Sequence, residues 1–306
     1  MKVDLIEART NLGLRPDDRG KLPGTRAASR VLLDAGLART WAVRRHLVLD
    51  APAYDREPQR ETRIRNGQSI RTYGMQLCEA VREALNAGAF PVVLGGDCSN
   101  LMGCLAGLRQ AGGRGLVHLD GHGDFLHPGN YDTASRLGSA AGMDLALATG
   151  RGEPLLTLWP GVVGPLVEDA DVVQLGERER EAYAEVYREM IESPMYQRTV
   201  QEILAAGVPA ALEQVLVRLD ERGLERAWLH LDLDVLDAAV MGAVDSPGSP
   251  GLDFAGWQAL VSGLLASGRI AGATIAIYDP DLDPGHHCAP QIVEAIESCL
   301  GRWLES

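Results

Sequence analysis

Short apolar runs alternate with segments of helical periodicity along almost the whole chain. Seven short runs predict buried strands. They lie at residues 3–6, 46–49, 90–94, 115–119, 171–175, 227–231 and 273–277. Between them apolar side chains recur every three or four residues, as at Ile70, Tyr73 and Leu77, and at 257–265 and 292–300. This order predicts an α/β protein with a mainly parallel sheet covered by helices on both faces.

Four Gly-, Pro- and Asp-rich segments interrupt the pattern. They lie at residues 11–24, 127–136, 241–251 and 279–288. Each is too short to separate two domains, and the chain has no repeat of fixed period, so we expect one domain over residues 1–306. Ligands of parallel sheets bind beyond the carboxyl ends of the strands, where these loops are expected.

Composition narrows the class of partner. The hydrophobic share of 46% and the charged share of 23% are ordinary for a globular protein. A formal charge of −13 argues against nucleic acid or an anionic membrane as the partner, because both would be repelled, so we expect a small-molecule substrate. The chain has no apolar run as long as that of a leader peptide or a membrane span. Its five cysteines are irregularly spaced, so we expect no disulfide framework. Both features predict a cytoplasmic protein.

Side chains that bind metals follow three of the predicted strands. In HLDGHGDF the ligand-type residues alternate, and alternate residues of an extended chain point to the same side. HLDLDVLD repeats the pattern, and VLGGDCSN ends a strand with a thiol. The candidate ligands are Cys98, Asp120, His122, Asp124, Asp232 and Asp234.

The chemistry of this set points to bound cations. Four carboxylates packed together would repel one another and raise one another's pKa. Two divalent ions would remove that repulsion and lower the pKa of a bridging water, which supplies hydroxide. Each motif taken singly is also compatible with a capping loop or a turn. Their joint occurrence after three strands favours a dinuclear site, and the expected chemistry is hydrolysis.

The three motifs, GGDCS at 95–99, DGHGD at 120–124 and DLDVLD at 232–237, resemble those of the ureohydrolase family of arginase and agmatinase. The resemblance covers nearly the whole chain. It implies a three-layer α/β/α sandwich, a dinuclear manganese site and a homo-oligomer, either a trimer or a hexamer.

The resemblance also implies roles for individual residues. Asp120 and Asp232 would bridge two metal ions, and Asp124 would be catalytic, accepting a hydrogen bond from the bridging hydroxide and passing its proton to the leaving amine. Asp237 would orient a loop or a metal-bound imidazole. The first metal would be held by Cys98, Asp120, Asp124 and Asp232, and the second by Asp120, His122, Asp232 and Asp234.

Cys98 departs from the family, which has a histidine at this position. A thiolate is softer than imidazole and would favour Zn²⁺, Fe²⁺ or Ni²⁺ over Mn²⁺ at this position. The alternative is that the thiolate lowers the metal occupancy of the position. A similar cysteine occurs in the branch that hydrolyses N-hydroxyarginine, which shares the wording Asp-Gly-His-Gly-Asp-Phe. The substitution therefore does not imply loss of activity.

Two further departures concern the substrate. Ala141 stands in place of a loop histidine, and Ile277 in place of the glutamate that binds the guanidinium cation in the family. An apolar side chain cannot pair with a buried guanidinium, so unmodified arginine or agmatine loses its anchor. The candidate substrate contacts in this chain are Glu181, Asp279, Tyr278 and His127. The run at 177–181 is otherwise interpreted as the solvated start of a helix.

Three functions remain open from the sequence. The first is metal-dependent hydrolysis of a C–N bond in a guanidino, modified guanidino, amidino or ureido compound. The second is a non-catalytic or regulatory homologue that keeps the fold and part of the metal site, which the losses at Cys98, Ala141 and Ile277 motivate. The third is a metal-dependent deacetylase, by analogy of fold alone. The acid-rich ligand set suits two metals better than the single zinc of that class.

Overall fold

One eight-stranded parallel sheet forms the centre of the molecule. The computed structural model describes residues 1–305. The strands are β1 (Val3–Arg9), β2 (Val43–Asp50), β3 (Phe90–Leu94), β4 (Leu116–Leu119), β5 (Val172–Leu175), β6 (Tyr196–Arg198), β7 (Ala227–Asp232) and β8 (Ile270–Ala276). Their order across the sheet is β2-β1-β3-β8-β7-β4-β5-β6, and every neighbouring pair is parallel.

The two faces of the sheet carry separate hydrophobic cores. Along β4, Leu116 packs into one core, whereas Val117 and Leu119 pack into the other. Successive side chains of a strand point to opposite faces, so two cores require a helical layer on each side. This confirms the predicted three-layer α/β/α sandwich.

Helices cover both faces. On the face of Val117 lie α1 (Ala28–Asp34), α7 (Val200–Ala206), α8 (Val208–Glu221), α9 (Phe254–Ala266), α10 (Cys288–Ile296) and α11 (Arg302–Glu305). On the face of Leu116 lie α2 (Gly67–Asn86), α3 (Asn100–Gln110), α4 (Asp144–Ala148), α5 (Pro154–Thr157) and α6 (Arg188–Glu192). The predicted apolar face of α2 is buried, including Ile70, Tyr73 and Leu77.

Prediction from the local sequence pattern failed at β6 and at residues 177–181, because tertiary contacts determine the structure there. The three-residue edge strand β6 was not predicted, because its residues are only half-buried and carry no apolar run. The helix predicted to begin at 177–181 is wrong: the chain runs through turns there, and α6 begins at Arg188. Glu177 is fully buried rather than solvated.

Two further expectations concern the whole chain. All five cysteines are free, as their irregular spacing predicted. Within residues 1–305, no single helix has the length and apolar composition needed to cross a bilayer. Only α7 and α8 taken together meet these two criteria, and the chain bends by 113° between them.

Candidate metal centre

The turn after β3 delivers Cys98 to the edge of the sheet. Gly95 and Gly96 both have positive φ, at 84° and 80°, and a Cβ on Gly96 would lie 2.5 Å from the carbonyl oxygen of Ala8. Only glycine suits such a position. Asp97 is buried beneath the turn and accepts a hydrogen bond from Ser99 N at 2.9 Å. Asp97 therefore shapes the turn, while Cys98 faces the neighbouring strand ends.

Cys98 contacts the end of β7. Its Sγ donates a hydrogen bond to Asp232 Oδ2 at 2.7 Å, and the thiol is 1% exposed. Burial, followed by the negative charge of Asp232, raises the pKa of Cys98 well above its ordinary value. A cation at this position would reverse that effect, because it stabilises the thiolate.

The ends of β4 and β7 hold each other in place. His122 Nδ1 lies 2.8 Å from Asp234 Oδ2, and Gly121 N donates to Asp234 Oδ1 at 3.0 Å. Asp120 accepts from His122 N at 2.6 Å, and Asp232 accepts from Asp234 N at 2.7 Å. The DGHGD and DLDVLD segments are thus joined directly by contacts between protein groups.

The carboxylates repel one another. Burial, with the charges of Asp120 and its neighbours, raises the pKa of Asp124 well above its ordinary value, and burial with Asp234 does the same to Asp232. Burial also opposes ionisation of Asp120, but its interactions with His122 and His118 outweigh that effect and lower its pKa. Asp120 Oδ2 is buried and has no hydrogen-bond partner among residues 1–305. Such a group lacks the partner that a cation would provide.

The donor atoms are close enough to one another to hold cations at adjacent positions. Among residues 1–305, four sets have ligand atoms that all lie within 4.8 Å of one another, and three of them contain Asp120. These three are Cys98, Asp120, His230 and Asp232; Asp120, His122 and Asp234; and His118, Asp120 and Asp124. Asp120 belongs to all three, as expected for a bridging carboxylate. Thiolate, imidazole and carboxylate are the usual donors for divalent transition metals.

Comparison with known proteins decides the family. The sequence profile of the Arginase family matches residues 15–301. The chain is 30% identical over 247 residues to arginase of Bacillus caldovelox, covering 80% of each chain, and 29% identical over 256 residues to arginase of Bacillus subtilis strain 168, covering 83% of each. The chain belongs to the arginase family. It is accordingly a metal-dependent hydrolase of the ureohydrolase type.

The structure agrees with membership of the arginase family. The native structure of B. caldovelox arginase superposes with a TM-score of 0.84 over 98% of both chains, at 24% sequence identity. At that identity the superposition establishes a shared fold. The eight-stranded order and the two-sided helical cover are therefore those of the family.

The structure also describes the two apolar positions that the sequence analysis interpreted as departures from the family pattern. Ile277 directly follows β8, is 3% exposed and adopts φ of 75°, which is rare for a β-branched residue. Its N–H donates to Gly96 O at 3.0 Å, which places it beside the Cys98 turn. Ala141 is buried, and its N–H donates to Gly13 O at 3.0 Å. Both positions are apolar in this chain.

Two of the predicted substrate contacts already have structural partners. Tyr278 is 1% exposed and its hydroxyl donates to Asp283 Oδ2 at 2.8 Å. Asp279 accepts from Gly24 N at 2.9 Å and from Asp281 N at 2.8 Å. Neither residue belongs to the metal-donor sets, and their role as substrate contacts stays a prediction.

The other two predicted contacts, Glu181 and His127, are likewise outside the metal-donor sets. Glu181 is exposed on the turns that precede α6. His127 Nε2 lies 3.1 Å from Glu189 Oε2, and its Nδ1 accepts from Gly129 N at 3.2 Å. Asp237 accepts from Ala239 N and Gly251 N, each at 2.9 Å, so it orients the loop rather than an imidazole.

Four side chains at the site were missed by sequence reasoning. His118 and His230 precede Asp120 and Asp232 by two residues, so period-two alternation was a signal that would have placed them on the same face. Asp144 and Arg178 gave no comparable signal. The Arg178 guanidinium donates to the carbonyl oxygen of Asp234, and its Nε and Nη1 are buried without a hydrogen-bond partner among the described residues.

Proposed function

We propose that this arginase-family enzyme hydrolyses a C–N bond of a small guanidino, modified guanidino, amidino or ureido compound at a dinuclear metal site. The proposal rests on the convergence of ligand-type side chains beyond the ends of β3, β4 and β7. They are a thiol, an imidazole and four carboxylates, and Asp120 is shared between sets. When bound, two divalent ions lower the pKa of a bridging water and polarise the substrate carbon.

The residues of the chain hold this arrangement. Cys98, Asp120 and Asp232 would hold one ion, together with Asp124 as the resemblance implies. Asp120, His122 and Asp234, with Asp232, would hold the other. The hydrogen bond from Gly121 N orients the Asp234 carboxylate in advance, which reduces the reorganisation needed on binding. The contact between His122 Nδ1 and Asp234 Oδ2 would open when both groups bind the ion, because a ligating nitrogen carries no proton.

Asp124 is the proposed proton carrier. Its carboxylate lies in the buried cluster next to Asp120, and the backbone at Asp124 has φ of 44°, an orientation that few aspartates adopt. From this position Asp124 would accept a proton from the attacking water and return it to the leaving amine.

The substrate would differ from unmodified arginine. Ile277 presents an apolar side chain beside the Cys98 turn, where a carboxylate would be needed to pair with a buried guanidinium. A neutral or modified group, such as a hydroxyguanidine, ureido or formimino compound, is therefore favoured.

The decisive experiment is hydrolysis across such a panel by metal-loaded protein, with Asp124→Asn as the active-site variant. Asp18→Asn is the matched control, because it makes the same chemical change at an exposed aspartate. Turnover by the wild type and Asp18→Asn, but not by Asp124→Asn, supports the proposal. Absence of turnover on all compounds, with tight binding of one of them, would instead favour the non-catalytic homologue that the changes at Ala141 and Ile277 motivate.

Metal identity is tested separately. Elemental analysis of protein purified without chelator should find two ions of the dinuclear site, Mn²⁺ or the thiolate-favoured Zn²⁺, Fe²⁺ or Ni²⁺. Cys98→Ala should hold about one ion fewer than the wild type. Cys104→Ala is the control, because Cys104 is a fully buried thiol outside the candidate sets. The expected trimer or hexamer is checked by sedimentation of the same samples.

A further inference from the structure

A row of buried polar side chains crosses the sheet one step behind the strand ends. Residues of β5, β4, β7 and β8 stand in direct register. The four side chains are those of Gln174, His118, His230 and Thr274, all fully buried. The outer two have partners: Gln174 Nε2 donates to His122 O at 3.1 Å, and Thr274 Oγ1 accepts from Trp228 Nε1 at 2.9 Å. The two histidines in the middle do not.

The histidine rings form a parallel pair that faces a carboxylate. The ring centroids of His118 and His230 are 5.2 Å apart and the planes differ by 11°. His118 Nε2 lies 3.4 Å from Asp144 Oδ1, and His230 Nε2 lies 3.8 Å from Asp144 Oδ2. Asp144 is the first residue of α4 and is fully buried. The three side chains thus converge from two strands and one helix.

None of these groups makes a hydrogen bond. Both ring nitrogens of His118 and His230, and both carboxylate oxygens of Asp144, are buried without a hydrogen-bond partner among residues 1–305. So many buried polar atoms without hydrogen bonds are rare in a native protein, and a ligand between the two rings and the carboxylate would give one atom of each residue a partner.

The donor set selects the class of ligand. One nitrogen from each histidine and one oxygen of Asp144 lie within 4.8 Å of one another. Bonds of about 2.0–2.1 Å to a tetrahedral ion put its ligands roughly 3.3 Å apart, close to the separations observed here. Two imidazoles and a carboxylate are typical zinc donors. Asp144 is also a fifth buried carboxylate, beyond the four that the dinuclear centre would neutralise.

We propose that His118, Asp144 and His230 form a third metal-binding site, suited to Zn²⁺, directly beneath the dinuclear centre. His118 Nε2 lies 3.7 Å from Asp120 Oδ2, so the site adjoins the ligands of the dinuclear centre. An ion there would fix the strand ends that carry Asp120 and Asp232. The site does not depend on which bond the enzyme hydrolyses.

The test counts ions per chain in protein expressed with zinc and purified without chelator. Asp144→Asn should hold one zinc ion fewer than the wild type. Thr274→Val is the matched control: Thr274 lies in the same buried row but offers no atom to the site, so its count should not change. Equal counts in the wild type and Asp144→Asn would overturn the proposal, as would an equal loss in Thr274→Val.

A second measurement needs no variant. Anomalous scattering at the zinc edge from crystals of the wild type should show a peak between His118, Asp144 and His230. The absence of that peak in crystals whose dinuclear positions are filled would overturn the site even if Asp144→Asn fails to fold. Asp124→Asn should keep the third ion whether or not it abolishes turnover, so failure of this proposal is distinguishable from failure of the proposed function.

Discussion

Cys98 and Asp232 are joined by a hydrogen bond of 2.7 Å from Sγ to Oδ2, although the strands that carry them are separated by β8. The bond spans the end of β8, where Ile277 lies. Cys98 and Ile277, the two positions interpreted as departures from the family, therefore lie beside each other. We expect Cys98 to affect metal selectivity and Ile277 to affect the charge of the substrate.

Replacing Cys98 by histidine should shift metal preference from zinc to manganese by about tenfold or more, because imidazole is a harder, neutral ligand. Competitive binding of the two ions measures the shift. Cys104→Ala should leave the preference unchanged. An unaltered ratio in Cys98→His would show that the thiol does not reach the metal.

Ile277→Glu should create activity towards an unmodified guanidinium compound such as arginine. The new carboxylate would lie beside the Cys98 turn and would pair with the cation in a site of low dielectric constant. We expect the gain as an increase in kcat/KM for arginine, measured by steady-state kinetics. Ile277→Gln has nearly the same shape without the charge, so an equal gain in that variant would refute a role for charge.

Arg178→Met should weaken metal binding about 10- to 100-fold, which is typical when a group that orients a ligand is removed. Arg178 donates to the carbonyl oxygen of Asp234 and thereby holds that residue in place. Titration with metal measures the affinity. Arg30→Met is the control, because the side chain of Arg30 is 75% exposed. Similar affinities in both variants would contradict the role assigned to Arg178.

Glu7 should make stability depend on pH. Its buried carboxylate accepts hydrogen bonds from Ser29 Oγ at 2.9 Å and Arg9 Nη2 at 2.8 Å, and lies 2.9 Å from His46 Nε2. Burial opposes ionisation, but these partners outweigh it, so the net pKa of Glu7 is lowered from 4.5. The stabilisation is therefore complete above pH 4.5 and is lost as the pH falls through the lowered value.

Glu7→Gln should accordingly reduce the free energy of unfolding by about 1–3 kcal/mol at pH 7, and by progressively less below pH 4.5. Urea denaturation at several pH values measures the difference. Glu57→Gln, at an exposed position, should have little effect at any pH. A loss that is the same at pH 7 and pH 3 would show that the charge of Glu7 is not the cause.

Much of the fold and of the site follows from local pattern. The period of three and four residues at Ile70, Tyr73 and Leu77 predicts the buried face of α2, and the structure confirms it. Alternation after a strand predicts that Asp120 and His122 share a side with Asp124. The α2 prediction succeeds because the direction of a side chain is set by backbone geometry within a few residues. The alternation argument assumed an extended chain, whereas β4 ends at Leu119 and Asp124 has a φ of 44°, so the loop after the strand also decides where these side chains lie. The helix predicted at 177–181 failed because burial of Glu177 depends on contacts that the pattern does not contain.

The sequence by itself determined which strands end in ligands. Only the tertiary structure decided which strand ends meet: β4 lies beside β7, and this adjacency sets His118 against His230 and Asp120 near Asp232. It also decided that Asp144 and Arg178 approach from other elements. Strand order depends on packing between segments more than a hundred residues apart, and that long-range packing has no periodic signature in the chain.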